Sequence, residues 1–302
     1  MTQLTIAPIL FHWSAEQKLD FYSRIADEAP VDVVYLGEVI CSKRTPFFEK
    51  HYDTVAERLT RAGKKVVFST LSEVMLKRER NMIAGFCDLE DYELEINDSS
   101  ALWHLEGKAF RIGSLMNVYN EDTMRFLASR GATHFSLPSE LPATSVGILA
   151  QTAQELGAGC EIQVFGRASL ALSARCYHAR AHNRIKDNCQ FVCENDPDGM
   201  PLNTLDQQEF LTINGIQTLS QSYVNLLGEL ETMTRMGISH FRLVPHTQDM
   251  VAVARIFRDT LDGKTAIEQA QHRLAALNIP APFSNGFWHG QAGHKWVESA
   301  RV

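Results

Sequence analysis

Val31-Asp-Val-Val-Tyr-Leu36-Gly37-Glu38, followed by Phe48 to Ala62 and then Gly63-Lys-Lys65-Val-Val-Phe-Ser69, is the passage from which the fold is read. Val31 to Leu36 is a β-branched run that predicts a strand, and Gly37-Glu38 punctuates it. Phe48 to Ala62 has helical spacing and stops at Gly63, after which Lys65 to Ser69 predicts a second strand. Strand, helix and strand in this order are the unit that sets two parallel strands side by side under a covering helix.

The same unit recurs in both directions. Upstream, Leu4 to Trp13 predicts a strand interrupted at Pro8, and Ser14 caps a helix to Ala29 with Leu19, Phe21, Tyr22 and Ile25 on one face. Downstream come a helix over Leu71 to Phe86, a strand over Tyr92 to Ile96 running into Asn97-Asp98, and a short helix over Ser100 to Leu105. Phe110 to Val118 predicts a strand, Asn120 to Arg130 a helix, His134 to Leu137 a strand, Thr144 to Leu156 a helix and Glu161 to Phe165 a strand. A helix over Gln221 to Met236, a strand over Phe241 to Val244, and helices over Met250 to Leu261 and Thr265 to Leu277 complete the chain. Eight strands alternating with helices predict an α/β fold, a single (β/α)8 TIM-barrel-like domain over residues 1–302; a doubly wound open sheet is the alternative.

The 302 residues suffice for one such barrel, and 45% hydrophobic with 22% charged residues is ordinary for a chain with a buried core. A formal charge of -7 gives no general basic field, so neither nucleic acid nor an anionic membrane surface is an expected partner. The N-terminal sequence lacks a signal-peptide pattern and no apolar run is long enough for a transmembrane segment, so a cytoplasmic location is expected. Walker, dinucleotide-binding and Gly-x-Ser-x-Gly patterns are missing, which removes support for nucleotide use.

In a reducing compartment the six cysteines are read as core thiols or metal ligands. Cys87 and Cys160 sit beside predicted elements and read as small buried hydrophobes. Cys176, Cys189 and Cys193 fall in a polar stretch with little apolar periodicity, so metal binding is the better reading. Their spacing matches neither a zinc ribbon nor a bacterial ferredoxin. His178 and His182, four apart, leave a mixed Cys/His zinc site open, whereas a fourth thiol from Cys41 would favour an iron-sulfur cluster. Because strand-end loops share one rim of a barrel, the loop after strand two, with Glu38 and Cys41, should meet Asn97-Asp98 and the cysteine stretch there.

Glu38 and Asp98 are candidate acid/base groups, against a plain capping role. Arg175, Arg180, Arg184 and Lys186 are either solvent-facing charges or a clamp for a carboxylate, with Arg175 the catalytic candidate among them. Asn285-Gly-Phe-Trp-His-Gly-Gln-Ala-Gly293 reads as a structured loop against the barrel mouth.

Glu161-Ile-Gln-Val-Phe-Gly-Arg-Ala-Ser-Leu-Ala-Leu-Ser-Ala-Arg-Cys176, with Cys189 and Cys193, resembles the signature of the collagenase-like peptidase family of unknown catalytic type, U32. Gly37-Glu38-Val-Ile-Cys41-Ser-Lys-Arg44, Asn97-Asp98 and Asn285-Gly-Phe-Trp-His-Gly290 are similar to its branch in oxygen-independent ubiquinone biosynthesis. The usual family pattern has further cysteines where this chain has Ser169 and near Leu219-Ser220, and its His-Gly pair is Phe165-Gly166 here, which weakens a peptidase reading. The resemblance implies a [4Fe-4S] cluster on Cys41, Cys176, Cys189 and Cys193, formed by the 37–44 loop and a 166–200 insertion. It also implies a heterodimer with UbiU and a lipid-binding accessory protein, UbiT. The reaction implied is ring hydroxylation of a prenylated quinone precursor, with prephenate as oxygen source. A U32-type peptidase, or a scaffold with a structural cluster or zinc, is the alternative.

Overall fold

The computed structural model describes residues 2–298. Eight parallel strands close on themselves: β1 (Gln3–Ile6), β2 (Val33–Leu36), β3 (Lys65–Ser69), β4 (Glu93–Ile96), β5 (Phe110–Ile112), β6 (Ala132–Ser136), β7 (Gly159–Leu172) and β11 (His240–Leu243), the last pairing with both β7 and β1. The fold is a (β/α)8 barrel, and the open-sheet alternative is ruled out by that closure. Helices α1 (Ala15–Glu28), α2 (Tyr52–Arg61), α3 (Lys77–Cys87), α4 (Glu121–Ser129), α5 (Ala143–Glu155), α8 (Met250–Leu261) and α9 (Ile267–Ala275) surround it.

The period of two sorts the strand residues cleanly. Val34, Leu36, Val66, Phe68, Leu94, Ile96, Ile162, Val164, Phe241 and Leu243 face outward into the apolar layer beneath the helices. Inward lie Val33, Tyr35 and Val67, which form a small cluster of their own, and a charged set. Arg242 pairs with Glu95 and Glu161, the Tyr35 hydroxyl donates to Glu161 at 3.2 Å, and Arg111 donates to the Tyr35 oxygen at 2.9 Å and to Glu93 at 2.6 Å. Burial alone would raise the Glu161 carboxyl, but Arg242 and His134 hold it well below the carboxylate range. The barrel is thus filled by an ion-paired plug in which each charge has a partner, as low dielectric demands.

Between β7 and β11 the chain inserts α6 (Tyr177–Ala181), β8 (Met200–Asn203), β9 (Glu209–Asn214), β10 (Gln217–Asn225) and α7 (Leu230–Arg235). β7 runs on past the barrel and pairs antiparallel with β10, which pairs antiparallel with β9 and parallel with β12 (Phe283–Ser284). Of the helix expected over Gln221 to Met236, the first part is the end of β10, and the rest is helical, a 3-10 turn over Leu227–Glu229 leading into α7. Tyr223, Leu227, Leu230 and Met233 have near-helical spacing, but β10 is bulged between Leu219 and Tyr223, which hides its alternation. Other boundaries move as well: β1 ends at Ile6, α2 starts at Tyr52, the 110–118 run closes as strand at Ile112, β7 runs on to Leu172, and α3 starts at Lys77, where Glu79 accepts from the Leu76 amide.

Candidate metal centre at the barrel rim

At the end of β2, Gly37 has φ +135°, and a Cβ there would stand 2.2 Å from the Ser69 carbonyl oxygen. Glycine alone lets the chain cross β3 so closely. Glu38 then fixes the next turn: buried, its Oε1 accepts from the amides of Ile40 (3.1 Å) and Cys41 (3.0 Å). Ser42 donates to Glu79 at 2.6 Å, tying the loop to α3. The loop that carries Cys41 is thus built by a glycine and two buried carboxylates.

The facing wall comes from the insertion. Cys176 precedes α6 and its sulfur accepts from the Ala179 amide at 3.4 Å. Lys43 Nζ reaches across to the carbonyls of Lys186 (2.8 Å) and Asp187 (3.0 Å) and stands 3.6 Å from Cys189 Sγ. Gln190 and Phe191 both have positive φ, at 48° and 52°, a conformation that costs on the order of 1 kcal/mol per non-glycine residue. Packing offsets it: the Phe191 ring meets Phe47 at 4.7 Å and His12 at 5.6 Å.

Cys41, Cys176, Cys189 and Cys193 line one cavity, together with Lys43, Arg44, Lys186, Phe191, Val192 and Ile216. Cys87 and Cys160 are buried in the core. Among the described residues no three His, Cys, Asp or Glu side chains converge on one point in the way that ligands of a single ion do. Zinc would draw its ligands to about 2.3 Å from such a point. Four thiols on one cavity are a donor set that either zinc or a four-iron cluster takes. Burial pushes the thiols of Cys41, Cys176 and Cys193 up, against the pull of Arg44 and, for Cys176, of the Ala179 amide. Metal-free, these groups favour the neutral thiol, which is the wrong state for a nucleophile.

Arg44 is the electrostatic keystone. At 2% exposed it donates to the Leu10 carbonyl (2.9 Å) and Asn214 Oδ1 (3.0 Å), while its Nε meets no acceptor. Burial would depress it, but Cys193, Glu38 and Cys41 in their charged forms raise it. Thiolates in the cavity would add to the negative charge that Glu38 already sets against this buried guanidinium.

The two histidine rings stack at 5.7 Å, and His178 lines the thiol cavity. His178 is buried against the cavity with Nε2 bonded to Asp196 at 2.8 Å, and His182 turns Nδ1 to the His178 carbonyl at 3.0 Å. Asp98 caps the short turn after β4 by accepting from the Ser100 amide at 2.8 Å. Arg175 and Arg180 are exposed, and Arg184 contacts Gln190. Asn285 anchors the closing loop to Val297 by two hydrogen bonds, and the Trp288 carbonyl accepts from the Ala143 amide at 2.9 Å.

The sequence reading missed a second cavity, in the mouth of the barrel. Glu95, Asn97, Gln163, Arg167 and Arg242 line it with Leu10, Val39 and Leu115, and at Ser114, Leu115 and Ser169 it adjoins a polar lobe that includes Asn117, Tyr119 and Glu140. The cavity volumes are about 40 Å³ for the mouth and about 220 Å³ for the adjoining lobe, which is the roomier of the two. Val39, Ile40 and Ile216 form an apolar cluster against which Leu10, Leu115 and Cys176 pack. One layer of side chains therefore separates the mouth from the thiol cavity. The available signal was a charged residue inside each of several short apolar strands, as in Glu93-Leu-Glu95-Ile, Phe-Arg111-Ile and Phe-Arg242-Leu.

Among solved structures, the chain is similar to phospho-2-dehydro-3-deoxyheptonate aldolase from Thermotoga maritima, at 10% identity and TM-score 0.36 over 93% of this chain and 71% of that one. It is also similar to β-mannanase from the blue mussel Mytilus edulis, at 9% identity and TM-score 0.36 over 88% and 92% of the two chains. The Bacillus cereus spore cortex-lytic enzyme SleL matches at 9% identity and TM-score 0.34, over 86% and 75%. Likeness at this level carries no functional argument. The family comparison is of another kind, since the description of peptidase family U32 matches residues 17–298, nearly the whole length. The chain belongs to peptidase family U32.

Proposed function

We propose that this chain is a UbiV-like iron-sulfur subunit of oxygen-independent ring hydroxylation in ubiquinone biosynthesis, with a [4Fe-4S] cluster on Cys41, Cys176, Cys189 and Cys193. The observation that carries the reading is the convergence of these four thiols on one cavity, although Cys41 and Cys176 are 135 positions apart in the chain. Lys43, Arg44 and Lys186 in the same lining would balance thiolate charge, and Phe191, Val192 and Ile216 would keep water from the sulfurs. A cluster held there would supply a redox-capable centre, which ring hydroxylation without molecular oxygen calls for. UbiU as partner, a UbiT-like lipid-binding protein, prephenate as oxygen source, a prenylated quinone precursor as substrate and a cytoplasmic setting belong to the same proposal and rest on the sequence resemblance. Among the described residues no helix is long and apolar enough to cross a membrane.

The test is quinone formation during anaerobic growth of cells in which the chain is replaced by Cys176→Ala. Loss of the ring-hydroxylated product, with the variant folded and present at normal abundance, is the expected result. Normal product formation by a folded, iron-free variant would instead make the chain a scaffold. The peptidase alternative has a separate assay: cleavage of a denatured protein by the purified chain, abolished by one point substitution, would displace the proposal.

A further inference from the structure

Between α6 and β8 the chain forms no helix or strand beyond two 3-10 turns, Lys186–Asn188 and Val192–Asn195, and this stretch carries two of the four thiols, Cys189 and Cys193. Gln190 and Phe191 between the turns hold positive φ, a conformation that persists where surrounding groups enforce it. The enforcing groups come from the barrel loops. Lys186 pairs with Glu73, beyond β3, at 3.1 Å, and the Phe191 ring meets Phe47 and His12. Lys43 differs from these because one atom serves both backbone and ligand. An ammonium has three hydrogens to donate, and Lys43 Nζ has three acceptors within reach: the Lys186 carbonyl at 2.8 Å, the Asp187 carbonyl at 3.0 Å and Cys189 Sγ at 3.6 Å. It also lies 5.7 Å from the Phe191 ring centroid, beside the strained turn itself.

We propose that Lys43 is a positioning residue for the metal centre, a latch that ties the 186–191 turn to the loop after β2 and presents the Cys189 sulfur to a metal shared with Cys41. The proposal rests on the reading of the four thiols as metal ligands, and it holds for zinc and for an iron-sulfur cluster alike. Cys41 and Lys43 share one loop, whereas Cys189 lies 146 positions from Lys43, so the latch joins two walls of the cavity that chain connectivity leaves apart. Ligation makes the Cys189 sulfur a thiolate, and the third hydrogen bond then becomes charge-assisted and stronger. The latch is therefore tighter with metal bound, and metal retention and closure of the turn reinforce one another. Lysine suits this place better than arginine, because its three donors radiate from one atom, an arrangement that a planar fork does not reproduce.

The experiment compares the full chain, purified anaerobically, with Lys43→Met, Lys43→Arg and the control Lys50→Met, at an exposed lysine of the neighbouring 3-10 turn. Two quantities are read. Hydrogen–deuterium exchange after metal removal reports the turn through the amides of Asn188 and Val192, which bond to the Ile185 and Cys189 carbonyls. Transfer of bound metal to an excess of chelator reports the ligand set. Lys43→Met should speed metal transfer about tenfold or more and should speed exchange at the two amides, with exchange in β2 and β3 unchanged. Lys43→Arg should recover part of the loss, and Lys50→Met should match the unmodified chain. Exchange at Asn188 and Val192 that is the same with and without Lys43 would overturn the latch. Faster exchange throughout the barrel would make Lys43 a general support of the fold, and unchanged metal release would remove its role toward the metal; either result overturns the proposal. An unmodified chain that carries no metal would refute the reading beneath the proposal, a result distinct from metal released equally by all variants.

Discussion

At the scale of the residue, the account turns on side chains that share one cavity yet lie far apart in sequence. Cys41 is the informative one, because it reaches the thiol cavity only through the turn set by Gly37 and Glu38. Glu38→Ala removes the acceptor for two buried amides and should cost about 1–3 kcal/mol; chemical denaturation would show it as a lower midpoint. Iron retention should fall in the same variant, since the Cys41 amide is one of the two released. Glu38→Gln keeps a carbonyl acceptor and should recover most of the stability. An equal loss in both variants would mean that the charge near Lys18 and Arg44, and not the turn, is what Glu38 provides.

At the scale of the element, the loop after β2 crosses β3 and the extension of β7 crosses the end of β11, each at a glycine with positive φ. Gly37→Ala would drive a Cβ to 2.2 Å from the Ser69 oxygen, and Gly166→Ala, at φ +107°, would bring one to 2.7 Å from Val244 Cβ. Each should lower stability by roughly 2 kcal/mol or more. Gly63→Ala, at φ +78° with nothing within 4 Å, should cost only about 1 kcal/mol and serves as the control in thermal melts. The barrel strands were legible because apolar runs such as Val33–Leu36 are short, β-branched and followed by helical spacing. The β8–β10 extension was not, because bulges break its alternation and the apolar residues at the end of β10 are in phase with the helical ones that follow from Leu227. Cys41 could be placed at the rim by the strand-end rule alone. Arg167 and the mouth could not, because its walls come from many elements whose residues look ordinary one at a time.

At the scale of the whole molecule, the ion-paired barrel interior sets how stability depends on pH. Glu161 is held well below its ordinary value of 4.5, so its contribution is full above that value and is lost progressively as pH falls from there through the lower value of the folded state. His240 is lowered from 6.5 to about 3, chiefly by burial with His134 adding to it, and burial also lowers His134. The unfolded chain therefore takes up protons below about pH 6.5 that the folded chain refuses, and stability declines from there. Melting temperature should start to fall below about pH 6.5 and fall faster below about pH 4.5; His240→Gln should flatten the first part of the curve. A melting temperature constant from pH 7 to 5 would contradict the buried, neutral histidines. Because loops from β2 and from beyond β7 close the thiol cavity, a metal held there would depend on the folded barrel. The most direct measurement is iron and acid-labile sulfide per chain in anaerobically purified protein, for the unmodified sequence and for Cys41→Ala. About four of each, with broad absorption near roughly 400 nm, is expected for the unmodified chain, and loss of both in Cys41→Ala. Zinc without sulfide, or full iron and sulfide in Cys41→Ala, would contradict the account.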